Sequence, residues 1–137
     1  MKTTPVEILQ PGPWPRPKGF SHGTAARGRL LFVAGQVGWD TSGHFASERL
    51  AEQVKVALEN IVTVLAVGGA RPEHVTRLTW YVTSREEYYS ELPAIGAHYR
   101  AVMGRHFPAM SVVQVVALME GQAKVEIEAT AVVPDAD

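Results

Sequence analysis

The residue types that most often bind metal ions stand in this sequence without the spacing of a metal site. The five histidines are His22, His44, His74, His98 and His106, and there is no cysteine. No two histidines stand four residues apart, the spacing with which one face of a helix presents both to a metal ion, and no His-Glu-x-x-His run occurs. A zinc–thiolate centre is impossible without cysteine. We therefore expect no metal site.

The glycines that follow the first apolar segment do not form a nucleotide-binding loop. Gly35, Gly38 and Gly43 lack the spacing of the dinucleotide fingerprint, and no helix is predicted directly behind the first two. Neither a Walker loop nor a nucleophile elbow is present. The sequence therefore contains none of these nucleotide-binding or serine-hydrolase motifs, and no function can be assigned from them.

A proline-rich segment over residues 11–19 places aromatic and basic side chains close together. Trp14 and Phe20 flank Arg16 and Lys18, a pattern that suits single-stranded nucleic acid. The chain carries 13 Lys plus Arg against 14 Asp plus Glu, however, so it has no general attraction for polyanions. We favour an extended arm that its aromatic side chains pin to the body of the protein, and expect no nucleic-acid partner.

The last strong pattern in the chain alternates between polar and apolar residues. The polar set is Lys124, Glu126, Glu128 and Thr130, and the apolar set is Val125, Ile127, Ala129 and Ala131. This period of two predicts a strand over residues 123–133 with one polar face. On this pattern alone, the two glutamates are solvated acids of that face.

Further elements follow from local patterns. Residues 29–37 are rich in strand formers, and residues 75–83 alternate as a half-covered strand does. From Leu50 onward the apolar residues recur at helical spacing until Gly68. Ser84 with Glu87 forms a capping box that opens a second helix, which Pro93 kinks or restarts.

Residues 111–119 are predicted to form a strand that is apolar on both faces. Two helices can cover only one face of the sheet, so the other face needs a second cover, and another copy of the chain is the economical candidate.

With 137 residues, we expect one α+β domain over 1–137 with residues 1–19 as an N-terminal arm. The apolar runs are too short to span a bilayer and the first residues lack a secretory signal, so we expect no membrane partner and a cytoplasmic protein.

Several segments together resemble the RidA/YjgF family. Residues 107–115, Phe-Pro-Ala-Met-Ser-Val-Val-Gln-Val, and residues 124–132 are similar to the signature of that family. Residues 33–37 are similar to its first core strand, and residues 58–61 followed by 68–70 are similar to its first helix. The resemblance extends over nearly the whole chain.

The resemblance implies a chorismate-mutase-like fold, a mixed sheet with two helices on one face, assembled as a homotrimer around a central barrel. Founding members of the family hydrolyse reactive enamines and imines, such as aminoacrylate and iminopropanoate, to keto acids and ammonia. Their sites lie in clefts between subunits and use no metal or organic cofactor. We therefore expect no cofactor and a small-molecule imine or enamine as the ligand.

The resemblance also implies a set of site residues. The family's deaminases carry an arginine between Pro-Ala and Ser, whose two parallel hydrogen bonds hold the substrate carboxylate. Here that position is Met110, and Val112 belongs to the same substrate-binding strand. The family's cleft tyrosine falls at Phe20 and its cleft asparagine at Gly96. Glu126 matches the acidic residue that positions the hydrolytic water, which makes it the expected catalytic residue.

Three further residues are candidates for the substrate-binding site, each with an ordinary structural alternative. His22, next to the cleft segment, could donate to a substrate or act as an acid near neutral pH, or it is a surface histidine. Arg105 could supply the positive charge missing at Met110. Trp39 walls the cleft or has a half-buried packing role.

Two functional hypotheses remain open on the sequence. The first is an enzyme that hydrolyses an imine or enamine to a carbonyl compound and ammonia. The alternative is a non-catalytic trimer that binds a small metabolite and has lost deaminase activity, and the methionine at position 110 favours it. The endoribonuclease L-PSP label that some family members carry has no support from charge or from a catalytic histidine pair.

Overall fold

The structure, a computed structural model, describes residues 5–136. Within these residues the strands are β1 (Glu7–Leu9), β2 (Gly23–Ala25), β3 (Arg29–Val37), β4 (Val75–Val82), β5 (Ala109–Gln114) and β6 (Val125–Val133). The helices are α1 (Leu50–Val67), α2 (Arg85–Ser90) and α3 (Leu92–Met103). None of these helices has the length and apolar composition needed to cross a membrane.

Four strands form a mixed sheet in the order β3-β6-β4-β5. β6 runs antiparallel to both of its neighbours, whereas β4 and β5 are parallel. Parallel neighbours need a crossover connection, and α2 and α3 supply it. The predicted α+β class with a mixed sheet is therefore confirmed.

Helix α1 forms where the sequence predicts it because its apolar residues recur on one face. Leu50, Val54, Leu58, Ile61 and Leu65 are each at most 1% exposed. The helix ends at Gly68, and the following Gly69 has a φ of +77°, a left-handed conformation that a glycine adopts without strain.

The core lies between one face of the sheet and the helices α1 and α3, which pack beside each other. Alternate residues of the two central strands point into it, among them Leu78 and Trp80 of β4 and Ile127 of β6. Ser84 accepts a hydrogen bond from the backbone N–H of Glu87 at 3.0 Å and so caps α2 as predicted, but the Glu87 carboxylate binds Lys124 Nζ at 2.8 Å, so the reciprocal half of the predicted capping box is absent. Pro93 stands at the start of α3, which confirms the predicted restart of the helix.

The predicted strand over residues 111–119 is wrong at both ends. β5 begins where Ala109 pairs with Arg77 and ends where Gln114 pairs with Val82, the last residue of β4. Because β5 is an edge strand, β4 is the only strand of the described chain that pairs along it, and the chain leaves the sheet when β4 ends. Val116, expected within the strand, is fully exposed.

The sheet face opposite the helices is open within the described chain. It carries Phe32 and Ala34 of β3, Arg77, Thr79 and Tyr81 of β4, and Glu126, Glu128 and Thr130 of β6. The Tyr81 hydroxyl donates to Glu128 at 2.8 Å, and this hydrogen bond to the carboxylate raises the pKa of Tyr81. Phe32 is 75% exposed. We call this surface the open face.

The proline-rich segment is a loop between β1 and β2, which pair as an antiparallel ladder. Glu7–Leu9, counted within the arm in the sequence analysis, is therefore a strand. Trp14 is 54% exposed and meets the His22 ring edge to face, with 4.9 Å between centroids. Residues 1–4 of the arm lie outside the described residues.

A buried glutamine joins α1 to the start of β6. Gln53 is 1% exposed, and its Nε2 donates to the carbonyl oxygens of Ser47 at 3.0 Å and Gln122 at 3.1 Å. Its Oε1 accepts the backbone N–H of Lys124 at 2.8 Å. The N–H of Lys124 is therefore bonded to a side chain and not to a neighbouring strand. β6 begins one residue later, at Val125, and the predicted start at Ala123 is wrong.

We expect Gln53→Leu to destabilise the protein. Leucine has a similar volume but leaves two carbonyl groups and one N–H without partners, which should lower the free energy of unfolding by about 2–4 kcal/mol. Glu59→Leu, at an exposed position of the same helix, should change it by no more than about 0.5 kcal/mol. Urea denaturation of both variants tests this, and equal losses would contradict the proposed role of Gln53.

His74 is a second buried polar residue, 6% exposed, in the short 3₁₀ turn Pro72–His74 that leads into β4. Its Nδ1 accepts the backbone N–H of Arg71 at 2.9 Å, so the bond needs the unprotonated nitrogen. Burial lowers the pKa of His74; the Glu73 carboxylate partly opposes this, and the nearby Arg71 and His106 lower the pKa by smaller amounts. The folded protein therefore binds this proton less readily than the unfolded chain does.

Stability should consequently fall as the pH drops below about 6.5, the ordinary histidine pKa, because the unfolded state gains the proton first. The loss should continue until the pH passes the lowered pKa of folded His74. In His74→Asn this part of the pH dependence should disappear, whereas it should persist in His44→Asn, which changes an exposed histidine. Unfolding free energies between pH 5 and 8 test this, and a constant difference between the wild type and His74→Asn would contradict it.

Candidate functional site

A pocket of about 710 Å³ opens on the helix side of the sheet, between α3, the edge strand β5 and the segment that precedes β2. Six aromatic residues line it: Phe20, Trp80, Tyr88, Tyr89, Tyr99 and Phe107. The volume and the apolar lining are typical of a small-molecule site.

The segment before β2 reaches the pocket because it is bonded to the start of β5. Ser21 forms a parallel bridge with Ala109, and its backbone N–H donates to the carbonyl oxygen of Pro108 at 3.0 Å. The buried Ser21 hydroxyl also donates to the carbonyl oxygen of Phe107. These bonds hold Phe20 at the pocket wall.

A stack of three rings forms the inner wall. Tyr99 of α3 lies against Phe107, with ring centroids 5.3 Å apart, and against Trp80 of β4 at 6.3 Å. The Tyr99 hydroxyl donates to the carbonyl oxygen of His106 at 2.6 Å, and burial raises the pKa of this phenol. Tyr99 is therefore a neutral structural donor.

The indole nitrogen of Trp80 has no hydrogen-bond partner. Among residues 5–136 it is the only buried side-chain nitrogen or oxygen that lacks one. An unpaired buried donor costs about 1–3 kcal/mol. A water or ligand oxygen that reached this N–H from the pocket would satisfy it.

Four of the sequence-predicted binding residues meet in this pocket: Phe20, Gly96, Met110 and Val112. Met110 and Val112 pair with Leu78 and Trp80 across the β4–β5 ladder, so they share the side of the sheet that faces the helices. The thioether of Met110 cannot neutralise an anion. β5 therefore contributes no charge to the pocket.

Two cations reach the pocket from other elements. Arg100 of α3 and Lys18 of the proline-rich segment are its charged lining residues, and no Asp or Glu of the described chain lines it. A side-chain carbon added at Gly96 would stand 3.2 Å from Nη1 of Arg100, so the guanidinium lies over this glycine, one helical turn away. Sequence reasoning missed Arg100, although the i, i+4 spacing from Gly96 would have indicated it.

The remaining binding candidates lie outside the lining of this pocket. His22 is exposed and packs edge to face on Phe20, 5.5 Å away between ring centroids. Arg105 is exposed just after α3. Trp39 pairs with Phe45 and lines a separate cavity of about 440 Å³. Gly35 and Gln36, which precede Trp39, lie inside β3 at a bulge in its ladder with β6.

Glu126, the expected catalytic residue, lies on the open face of the sheet, in register with Tyr81 of β4 and Val37 of β3. Its carboxylate lies over Gly35, where an added side-chain carbon would stand 2.1 Å from Oε2. The glycine at this position therefore makes room for the acid. Along β6, the neighbours Val125 and Ile127 point into the core.

Glu126 and Met110 consequently point to opposite sides of one sheet. Met110 packs against the core under the helices, and Glu126 projects away from it. No rearrangement of side chains alone can bring the two to one small ligand within a single chain, because the sheet lies between them. Within residues 5–136, no three His, Asp or Glu side chains gather closely enough to hold a metal ion.

Known proteins are similar to this chain over most of its length. Residues 15–133 match the family described as Endoribonuclease L-PSP. The human 2-iminobutanoate/2-iminopropanoate deaminase is 30% identical over 105 residues, which cover 76% of this chain and 73% of the human protein. Protein DfrA of Myxococcus xanthus is 34% identical over 110 residues, 77% of each chain.

Solved structures agree with the sequence relatives. YyfB from Yersinia pestis, a Rid-family protein of unknown function, has a TM-score of 0.82 at 34% identity and covers 94% of this chain and 99% of its own. A YjgF/YER057c/UK114-family protein from Mycobacterium tuberculosis has a TM-score of 0.63 at 32% identity, over 85% of this chain and 88% of its own. With the family match covering most of the chain and the fold shared with Rid structures, this protein belongs to the RidA/YjgF family.

Proposed function

We propose that the protein is a cytoplasmic hydrolase of a reactive imine or enamine, producing a carbonyl compound and ammonia without a cofactor. The observation that carries the proposal is the pocket, which assembles Phe20, Gly96, Met110 and Val112 from three separate parts of the chain. These are the positions at which the family resemblance implies substrate contacts. The relatives named as 2-iminobutanoate/2-iminopropanoate deaminases support a 2-imino acid or its enamine tautomer as the substrate class.

Glu126 is the proposed general base. Its carboxylate takes a proton from water as the water oxygen bonds to the imine carbon, and passes that proton to the imine nitrogen to give a neutral carbinolamine. The carboxylate then moves the carbinolamine hydroxyl proton to the nitrogen, the carbon–nitrogen bond breaks, and ammonia leaves with the carbonyl product. No electron transfer is involved, so the step balances with water as the only co-reactant.

The site requires a second copy of the chain, because Glu126 and the pocket lie on opposite sides of one sheet. We propose a homotrimer in which the open face of each chain is covered by its neighbours and Glu126 of one chain reaches the pocket of the next. The 75% exposed ring of Phe32 on the open face, and the exposed Val116 beyond β5, supply apolar surface for such contacts.

The alternative function is a binding protein without turnover. Met110 is the observation that favours it, because the thioether removes the cation that the family's deaminases use for the substrate carboxylate. Loss of that contact weakens binding of small 2-imino acids, but it leaves Glu126 and the pocket in place.

We expect the protein to accelerate hydrolysis of iminopropanoate, generated from alanine by an amino acid oxidase, above the spontaneous rate. Glu126→Gln should lower the rate at least about 100-fold, because the water loses its base. Met110→Arg should raise turnover of this small substrate by about tenfold, through a charge-assisted hydrogen bond to the carboxylate. Trapping the remaining imine with semicarbazide measures its lifetime.

Glu128→Gln is the matched control, since Glu128 lies on the same strand and face but bonds to Tyr81. It should retain most of the activity. Ligand binding by the wild type, without acceleration by either the wild type or Met110→Arg, would reject the enzyme and favour the binding protein.

Mixed oligomers test whether two chains share one site. Val112→Trp, at the half-exposed pocket rim, and Glu126→Gln should each be inactive alone. When the two are coexpressed, about a quarter of the sites should combine an intact pocket with an intact glutamate, because each site draws on two chains. Sedimentation should give three times the chain mass. Mixed trimers without recovered activity would contradict the shared site.

A further inference from the structure

We infer that Arg100 replaces the missing strand arginine as the carboxylate anchor of this pocket, and that the ligand is a carboxylate with an aromatic or bulky apolar side chain. The inference rests on the proposed function, since it names the substrate class of that site. It follows from the charge, the shape and the lining of the pocket.

The first observation is the place of the guanidinium. Arg100 folds back along α3 so that Nη1 lies 3.2 Å from the point where a side-chain carbon of Gly96 would stand. A side-chain carbon at that distance is tighter than most real contacts, so the guanidinium would have to shift to accommodate it. The family resemblance implies an asparagine at position 96 and an arginine at position 110, whereas in this chain the guanidinium at the pocket comes from α3.

The second observation is electrostatic. Among residues 5–136, the Arg100 side chain makes no ion pair or hydrogen bond, and the nearest lining charge is also positive, that of Lys18. With no acid in the lining, both cations remain available to an anion. A guanidinium presents two parallel N–H donors to a carboxylate, which suits this ligand group better than it suits a neutral one.

The third observation is the size of the apolar wall. The pocket of about 710 Å³ is lined by six aromatic rings and by aliphatic side chains such as Leu92 and Val112. A three- or four-carbon acid would leave most of this surface uncovered. An aromatic ring buried there contributes apolar area and edge-to-face contacts that a small acid lacks.

Arg100 also has a structural alternative. It stands in the last turn of α3, where a positive charge interacts favourably with the helix dipole. That interaction requires only the charge near the helix end. It does not require the guanidinium to lie over Gly96 at the pocket, and the two roles separate in the experiment below.

The test measures binding of four stable probes by calorimetry on the purified oligomer. These probes are 3-phenylpropanoate, propanoate, 3-phenylpropanamide and 3-phenylpropylammonium. We expect 3-phenylpropanoate to bind at least about tenfold more tightly than each of the others, because it alone combines the ring with the negative charge. Equal affinity for the acid and the amide, or no binding of the acid, would overturn the inference.

Two variants examine the anchor itself. Arg100→Gln should weaken 3-phenylpropanoate about tenfold and leave the amide unchanged. Gly96→Asn should do the same with Arg100 intact, because the new side chain displaces the guanidinium. Arg27→Gln, which removes an exposed arginine outside the pocket lining, is the charge control and should leave the affinity unchanged. Thermal unfolding separates these effects from a loss of helix stability.

Turnover distinguishes this inference from the proposed function. Hydrolysis of the imine formed from phenylalanine should exceed that of iminopropanoate, and Arg100→Gln should reverse the preference. Tight binding of 3-phenylpropanoate without any imine hydrolysis would reject the enzyme while retaining the anion-binding pocket. Hydrolysis of iminopropanoate without any preference for the phenyl probes would retain the enzyme and overturn the inference.

Discussion

The pleat of the β4–β6 pair is the constraint on which the rest of the structure depends. Trp80 and Ile127 point under the helices, and their immediate neighbours Tyr81 and Glu126 point away from them. Because successive side chains of a strand leave opposite faces, the same two strands build the core and present polar groups on the open face. The pocket and the acid are separated by the sheet for this reason, which is why the proposed site draws on two chains.

The pocket itself exists because the edge of the sheet is incompletely covered. Among the described strands, β4 alone pairs along β5, and Tyr99 of α3 stacks on Trp80 of β4 and on Phe107, which precedes β5. The segment carrying Phe20 closes the remaining side, held by Ser21. Under the inference drawn above, Arg100, which lies over Gly96, supplies from the helix the cation that Met110 does not supply from the strand.

Elements that depend on local periodicity could be predicted from the sequence. Helix α1, the strands β3, β4 and β6 and the start of α2 at Ser84 follow from spacing and capping, which involve residues a few positions apart. The length of β5 could not be predicted in this way, because it is set by where its only partner, β4, ends. The meeting of Phe20 with Met110 was expected only through the family resemblance, since ninety positions separate them in the chain.

The chain's own residues determined the fold class and the polar face that carries Glu126, because each is a matter of residue type and short-range pattern; the methionine at position 110 is notable only through the family resemblance, which implies an arginine there. Tertiary structure alone decided that Arg100 rather than Arg105 reaches the pocket, that Trp39 lines a different cavity and that Glu126 faces away from the pocket. Those outcomes depend on how strands and helices from distant parts of the chain pack against one another. They could not be predicted from local spacing, because that spacing does not indicate where a side chain points relative to a distant element.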